Sequence, residues 1–328
     1  MFTPEPQNIK LSIMLTRTKA PDQQTEDLNN EIQALKHQKS LGATIAEWSE
    51  MIKLEHTVFA LPFALSGMVL ASHYLPPLST WFYVVLAFAG ARAAAMSLNR
   101  LIDASIDSLN PRTKTRAIPA GRISKTQALF FAVASFALML FAASKLPAIC
   151  LYLSPIAVIW LSFYSFTKRF TPLCHLVLGI ALGGAALGGW VASAGTISGA
   201  APWLLAITVA TWVAGFDIIY ALQDVDFDRN HKLNSIPAYF GIAKALKISA
   251  ALHIVTVIAL YTLGLVLDLG TLFWIGAAFV AFMLNYEHSL VKKDDLSKVD
   301  AAFFTVNGYV SIACFVAILL DKVTHLHL

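Results

Sequence analysis

The chain has 328 residues, of which 57% are hydrophobic and only 13% charged. A soluble domain carries about 25% charged residues, so this composition cannot cover a water-exposed surface. Soluble globular and disordered classes are excluded, and the chain reads as an all-α polytopic membrane protein.

The first 45 residues differ from the rest. Their apolar run near Ile13 is too short for a signal peptide, and Asp22, Glu26, Asp27 and Glu31 argue against an acid-poor transit peptide. We read residues 1–45 as a polar cytosolic extension, partly disordered and helical around 28–37, ahead of a membrane domain over 46–328. Within that domain, segments of the roughly 17–25 apolar residues that a membrane helix needs recur nine times. They fall near 57–75, 80–98, 126–145, 147–166, 172–194, 202–223, 245–267, 270–287 and 302–321. Fifteen Lys and Arg follow the second, fourth, sixth and eighth segments, whereas the opposite side holds only Lys145 and Lys322. The positive-inside rule then puts the N-terminus in the cytosol and the C-terminus outside, as in a bacterial inner membrane. Cys150, Cys174 and Cys314 lie far apart in apolar stretches and read as reduced, buried thiols.

The second segment ends in Asn99, Asp103 and Asp107, spaced so that one helical face presents three oxygen ligands. The sixth ends in Asp217, Tyr220, Asp224 and Asp228, again on one face, with Asp226 pointing elsewhere. Like charges four residues apart repel, and carboxylates beside a bilayer are costly, so both clusters call for a cation. Oxygen donors without His or Cys favour Mg²⁺, which typically binds one or two carboxylates together with a substrate phosphate. Basic groups accompany the acids: Arg112 and Arg116 after the first cluster, and Lys168, four residues beyond Tyr164, after the fourth segment. Arg forks and Lys point charges are the usual partners of phosphate oxygens.

These stretches resemble the UbiA superfamily of intramembrane aromatic prenyltransferases, and within it the 4-hydroxybenzoate polyprenyltransferases. Asn99 to Asp107 is similar to the family's first acidic motif, with Arg100 in place of its second residue. Asp217 to Asp228 matches the second motif intact, Tyr164 and Lys168 match its YxxxK element, and Arg112 to Ser124 matches its basic loop. The likeness extends over about 45–320, including Lys53 to Phe63. It implies nine transmembrane helices in a bundle around a central cavity, closed by cytosolic cap loops. It also implies Mg²⁺ on Asn99, Asp103, Asp107, Asp224 and Asp228, and a polyprenyl diphosphate held by Asn99, Arg112, Arg116 and Lys168. Asp103, Asp107, Asp217, Asp224, Asp228 and Tyr164 are the implied catalytic set, with Tyr164 facing an allylic cation and Asp217 orienting or deprotonating the acceptor. The partners expected are the diphosphate, an aromatic acid and the lipid bilayer, with no nucleic acid and no obligate protein partner. The segment from His231 to Ile242 also resembles a subgroup serving menaquinone formation by the futalosine-type route, which leaves the acceptor open.

Other polar residues have plainer readings. Arg100 and Arg122 serve topology, and His56 sits at the interface. His175 and His253 are satisfied within the bundle. Arg92 faces the bundle, equally compatible with structural pairing and with a functional contact. The glycines from Gly179 to Gly189 allow close helix packing. A secondary transporter is the rival class, but it would carry its ionisable groups near the bilayer midplane and not at helix ends.

Overall fold

A computed structural model describes residues 41–53 and 57–325. The expectations for residues 1–40, including the helix at 28–37, and for His56 lie outside the described residues. Two compact units divide the chain, 1–49 and 50–328. The first contributes only the opening turns of α1 (Leu41–Ile52) to the described residues, and everything below belongs to the second.

The second unit is helical: α2 (Thr57–Leu70), α3 (Leu78–Asp107), α4 (Lys125–Ala143), α5 (Ala148–Phe163), α6 (Cys174–Ala194), α7 (Ala201–Tyr220), α8 (Val225–Asn230), α9 (Ile236–Phe240), α10 (Ile242–Val266), α11 (Thr271–Leu290) and α12 (Asn307–His325). Tight 3₁₀ turns run over Tyr164–Arg169 and Ala221–Asp224, and a wide π-turn over Ala301–Val306 opens the last helix. Helices prevail because lipid offers no hydrogen bonds, so every backbone N–H must find its partner within its own segment.

Each of the nine apolar segments coincides with a helix, but among the described residues seven helices are long and apolar enough to cross a bilayer. Helix α2 stops at Leu70, short of the polar Ser72 and His73 and of Pro76-Pro77. Helix α11 has the length, but its last turns carry Asn285, Glu287 and His288.

Local chemistry sets the helix ends. Ser124 starts α4 with a capping box: its hydroxyl accepts from the Gln127 N–H at 3.1 Å, and the Gln127 side chain accepts from the Ser124 N–H at 2.9 Å. Pro155 inside α5 cannot donate to the Leu151 carbonyl, and the Ser154 hydroxyl donates to it instead at 2.7 Å. Helix α6 ends at Gly195, whose φ of +66° is the left-handed conformation glycine adopts freely.

Helix α3 packs on α4, α6 on α7 and α2, α7 on α10, and α12 on α11 and α2. Helix α7 is central: Leu205, Val209, Trp212 and Val213 are fully buried. The glycines of α6 divide by face. A Cβ at Gly189 would overlap the Ala64 carbonyl, and one at Gly179 the Ala210 carbonyl, so these permit close approach to α2 and α7. Gly184 and Gly188 instead face open space and line an apolar cavity, contrary to a packing role for the whole run.

Candidate active site

The last two turns of α3 bury Asp103 and Asp107, each about 2–4% exposed. A carboxylate removed from water in this way requires a charged or hydrogen-bonding partner. Asp103 receives the Lys168 ammonium at 2.8 Å and the Asn99 amide at 3.1 Å, both at Oδ2. Its Oδ1 is buried without a hydrogen bond, with Arg169 3.5 Å away. Both oxygens of Asp107 accept from Arg116 Nη1 at 2.7 Å.

The loop after α3 folds back over the end of α7. Asn110 starts it with an Asx turn, its side-chain oxygen accepting from the Arg112 N–H at 2.9 Å. The Asn110 amide and Arg112 Nε then both donate to Asp224 Oδ1 at 3.0 Å, while Arg112 Nη2 pairs with Oδ2. Arg112 Nη1 donates to the Tyr220 hydroxyl at 3.2 Å. Burial alone would lower the Arg112 pKa, but the hydrogen bonds and charge of Asp224 outweigh it and raise the pKa above its ordinary value.

The second acidic segment is not one continuous α-helix. The 3₁₀ turn over Ala221–Asp224 advances about 20° more per residue than an α-turn does, which rotates Asp224 and Asp228 relative to Asp217. Asp224 meets the basic loop, Asp228 accepts from the Ser235 hydroxyl at 2.7 Å, and Asp226 is exposed. Asp217 Oδ2 lies 2.6 Å from His175 Nδ1, and the Ile236 N–H donates to Nε2 of the same ring at 3.3 Å. That backbone donor makes Nε2 the acceptor and Nδ1 the proton carrier.

Tyr164 is half-buried, and its hydroxyl donates to the Ala95 carbonyl at 3.4 Å. Its ring borders an apolar cavity of about 520 Å³ reached by α2 to α6, together with Arg92, Met96, Trp160 and Gly188. Arg92 donates to the Lys53 carbonyl at 3.3 Å. A smaller polar cavity of about 130 Å³ lies among Lys53, Arg100, Arg112, Arg116 and Tyr220. Arg100 is 6% exposed and donates to the Met51 carbonyl. It borders this polar cavity and is not the solvated loop charge that a topology role implies. Arg122, by contrast, lies at the surface and pairs with Glu50 at 3.2 Å.

Among the described residues no three His, Cys, Asp or Glu side chains converge as a metal centre, because basic groups stand between the acids. The donors are nonetheless all hard oxygens, and Asp103 Oδ1 has no hydrogen bond, which suits a hard divalent cation. The sequence reading gave Arg100, Lys53, His175 and Ser235 no part in the site. Arg100, adjacent to Asn99 in the first motif, and Lys53, in the stretch resembling the family's first helix, carried a signal, and His175 is satisfied within the bundle as expected.

These features define a helical membrane protein with an oxygen-rich, charge-paired site beside an apolar cavity, suited to a substrate with an anionic head and an apolar tail. Residues 60–309 match the model of the UbiA prenyltransferase family. The 4-hydroxybenzoate octaprenyltransferase of Vibrio cholerae serotype O1 is 32% identical over 259 residues, covering 78% of this chain and 89% of that protein. Its counterpart from Sodalis glossinidius is 30% identical, over 85% of this chain and 96% of its own length. The apo structure of a UbiA homolog from Aeropyrum pernix K1 superposes with a TM-score of 0.75 at 35% identity, covering 81% and 98% of the two chains. A UbiA homolog from Archaeoglobus fulgidus, bound to DMAPP and Mg²⁺, shares the fold with a TM-score of 0.67 at 20% identity, over 84% and 99%. The chain belongs to the UbiA prenyltransferase family and is a prenyltransferase.

Proposed function

We propose that this enzyme transfers a polyprenyl group from polyprenyl diphosphate to an aromatic acid, 4-hydroxybenzoate, in quinone biosynthesis. The observation that carries this reading is the charge-paired site beside an apolar cavity: Arg112 ties Asp224 of the second acidic segment to the loop after the first, while Arg116 and Lys168 hold Asp107 and Asp103 of the first. The names of the relatives at 30–32% identity support both donor and acceptor. Nine membrane spans, with the N-terminus and both acidic segments cytosolic and the C-terminus outside, complete the reading.

Asn99, Asp103, Asp107, Asp224 and Asp228 are the residues that would hold Mg²⁺. When bound, the metal supplies positive charge against the leaving diphosphate. On donor binding, Arg112, Arg116 and Lys168 pass from carboxylate to phosphate oxygens, where their charge stabilises the transition state. The allylic C–O bond breaks with its electron pair leaving on the diphosphate. The ring carbon beside the acceptor hydroxyl supplies the pair for the new C–C bond, and loss of that carbon's proton restores aromaticity. Asp217, held by His175, orients the acceptor or takes its proton. Tyr164 presents its ring to the allylic cation. The apolar cavity takes the prenyl tail and keeps out water that would trap the cation.

The test is to offer labelled polyprenyl diphosphate and a panel of aromatic acids and neutral phenols to membranes carrying the protein. A prenylated 4-hydroxybenzoate, identified by mass, is expected. Prenyl alcohol alone, or prenylation confined to neutral phenols, would overturn the reading.

A further inference from the structure

A second polar cluster lies away from the acidic site. Asn307 is fully buried where the π-turn over Ala301–Val306 passes into α12, and its amide donates at 3.1 Å to the carbonyls of Ala302 and Phe303. Those carbonyls sit where the wide turn changes register, and a side-chain donor satisfies them there. The same amide donates to Glu287 Oε1 at 3.1 Å, and Asn307 Oδ1 accepts from Trp212 Nε1 at 2.7 Å. Glu287 is fully buried in α11, its Oε2 has no hydrogen bond, and His253 Nδ1 stands 3.8 Å away. A carboxylate held in such surroundings is costly, so its hold on Asn307 calls for a purpose.

The purpose lies along α7. Asn307 meets Trp212, Phe303 packs edge-on against Phe216 at 5.3 Å and stacks on Tyr220 at 4.1 Å, and Asp300 accepts from Gln223 at 2.9 Å. The π-turn and Asp300 just before it are thus clipped to Trp212, Phe216 and Tyr220 of α7 and to Gln223 just beyond it, where the second acidic segment continues. Its last aromatic member, Tyr220, accepts from Arg112 and carries the Arg112 guanidinium 5.4 Å above its ring. Phe303 is therefore the floor beneath the Tyr220–Arg112–Asp224 arrangement.

We propose that the π-turn, fastened by Asn307 to Glu287 and Trp212, is a positioning element that holds Tyr220 and Arg112 for capture of the diphosphate head. This rests on the reading of Arg112 and Asp224 as the headgroup site. Phe303 and Asn307 touch no reacting atom and act through Tyr220 and Arg112.

The experiment measures kcat and both KM values in membranes for the full chain and for Phe303→Leu, Phe303→Tyr, Asn307→Ala, Arg112→Lys and the Phe303→Leu/Arg112→Lys pair. Loss of the floor raises the donor KM roughly tenfold, since small misplacements of positioning groups are expensive. In Phe303→Leu and Asn307→Ala, acceptor KM and Tm stay close to the parent's, and any fall in kcat is no larger than that of Arg112→Lys. Phe303→Tyr, which keeps the stacked ring, restores the donor KM, and the pair behaves like Arg112→Lys alone because both changes act on one contact. If Arg112→Lys raises the donor KM while Phe303→Leu and Asn307→Ala leave it unchanged, the positioning role is overturned. It is overturned equally if those two variants lower kcat and raise both KM values in parallel with a loss of Tm. If Arg112→Lys itself leaves the donor KM unchanged, the headgroup reading fails and the positioning role falls with it.

Discussion

Arg112 and Asp224, 112 positions apart, tie the two acidic segments together through a forked ion pair. The pair brings the end of α3 and the end of α7 to one site. It also leaves a guanidinium ready to exchange its carboxylate for a phosphate.

Replacing Asp224 by Ala is expected to lower kcat/KM on the order of a hundredfold, the scale of lost charge stabilisation in a transition state. Asp103→Ala and Asp107→Ala should fall in the same range, because each removes a buried carboxylate that holds Lys168 or Arg116 in the site. Steady-state kinetics in membranes checks this, and two of the three retaining near-parental turnover would contradict the two-segment site.

The glycines of α6 should separate by face. Gly189→Val forces a side chain into the backbone of α2, and overpacking of this kind costs about 1–3 kcal/mol. It should be visible as a lower Tm in detergent. Gly184→Ala meets no neighbour and should stay within about 0.5 kcal/mol. Gly188→Trp, which fills the apolar cavity, should slow long polyprenyl donors more than dimethylallyl diphosphate.

Sidedness can be read directly. Ser108 is exposed at the end of α3, beside Asp107. Ser108→Cys, in a background lacking Cys150, Cys174 and Cys314, should react with an impermeant thiol reagent in inverted vesicles only. Labelling of intact cells would contradict the cytosolic placement of the acidic segments.

A chain starting at Ala46 should insert and turn over substrate, because residues 1–45 lack the apolar mass to join a bundle. Insertion at the parental level without activity would show that the extension serves the site.

The acidic face of α3 was legible in the sequence because Asn99, Asp103 and Asp107 keep a four-residue spacing within one unbroken helix. Along Asp217, Asp224 and Asp228 the spacing assumed one unbroken α-helix, whereas a 3₁₀ turn intervenes and no local signal marks it. Lys168, singled out by its spacing from Tyr164, pairs with Asp103 in the structure. Pairings across the fold were not legible: His175 with Asp217, 42 positions apart, and Asn307 with Glu287 meet only once the helices have packed. Polar residues inside apolar segments announce that partners exist, not which ones. Arg100 counted as a loop charge because positive-inside arithmetic cannot tell a buried guanidinium from a solvated one.

The most direct test of metal-assisted prenyl transfer at this site is product formation by the reconstituted chain, stripped of divalent ions, as Mg²⁺ is returned. The substrates are labelled polyprenyl diphosphate and 4-hydroxybenzoate. No product is expected without the ion. With it, the predicted product has the mass of the acid plus the prenyl group less one hydrogen, with one diphosphate released per product. Undiminished product in excess chelator, or diphosphate release without prenylated acid, would contradict metal-assisted transfer.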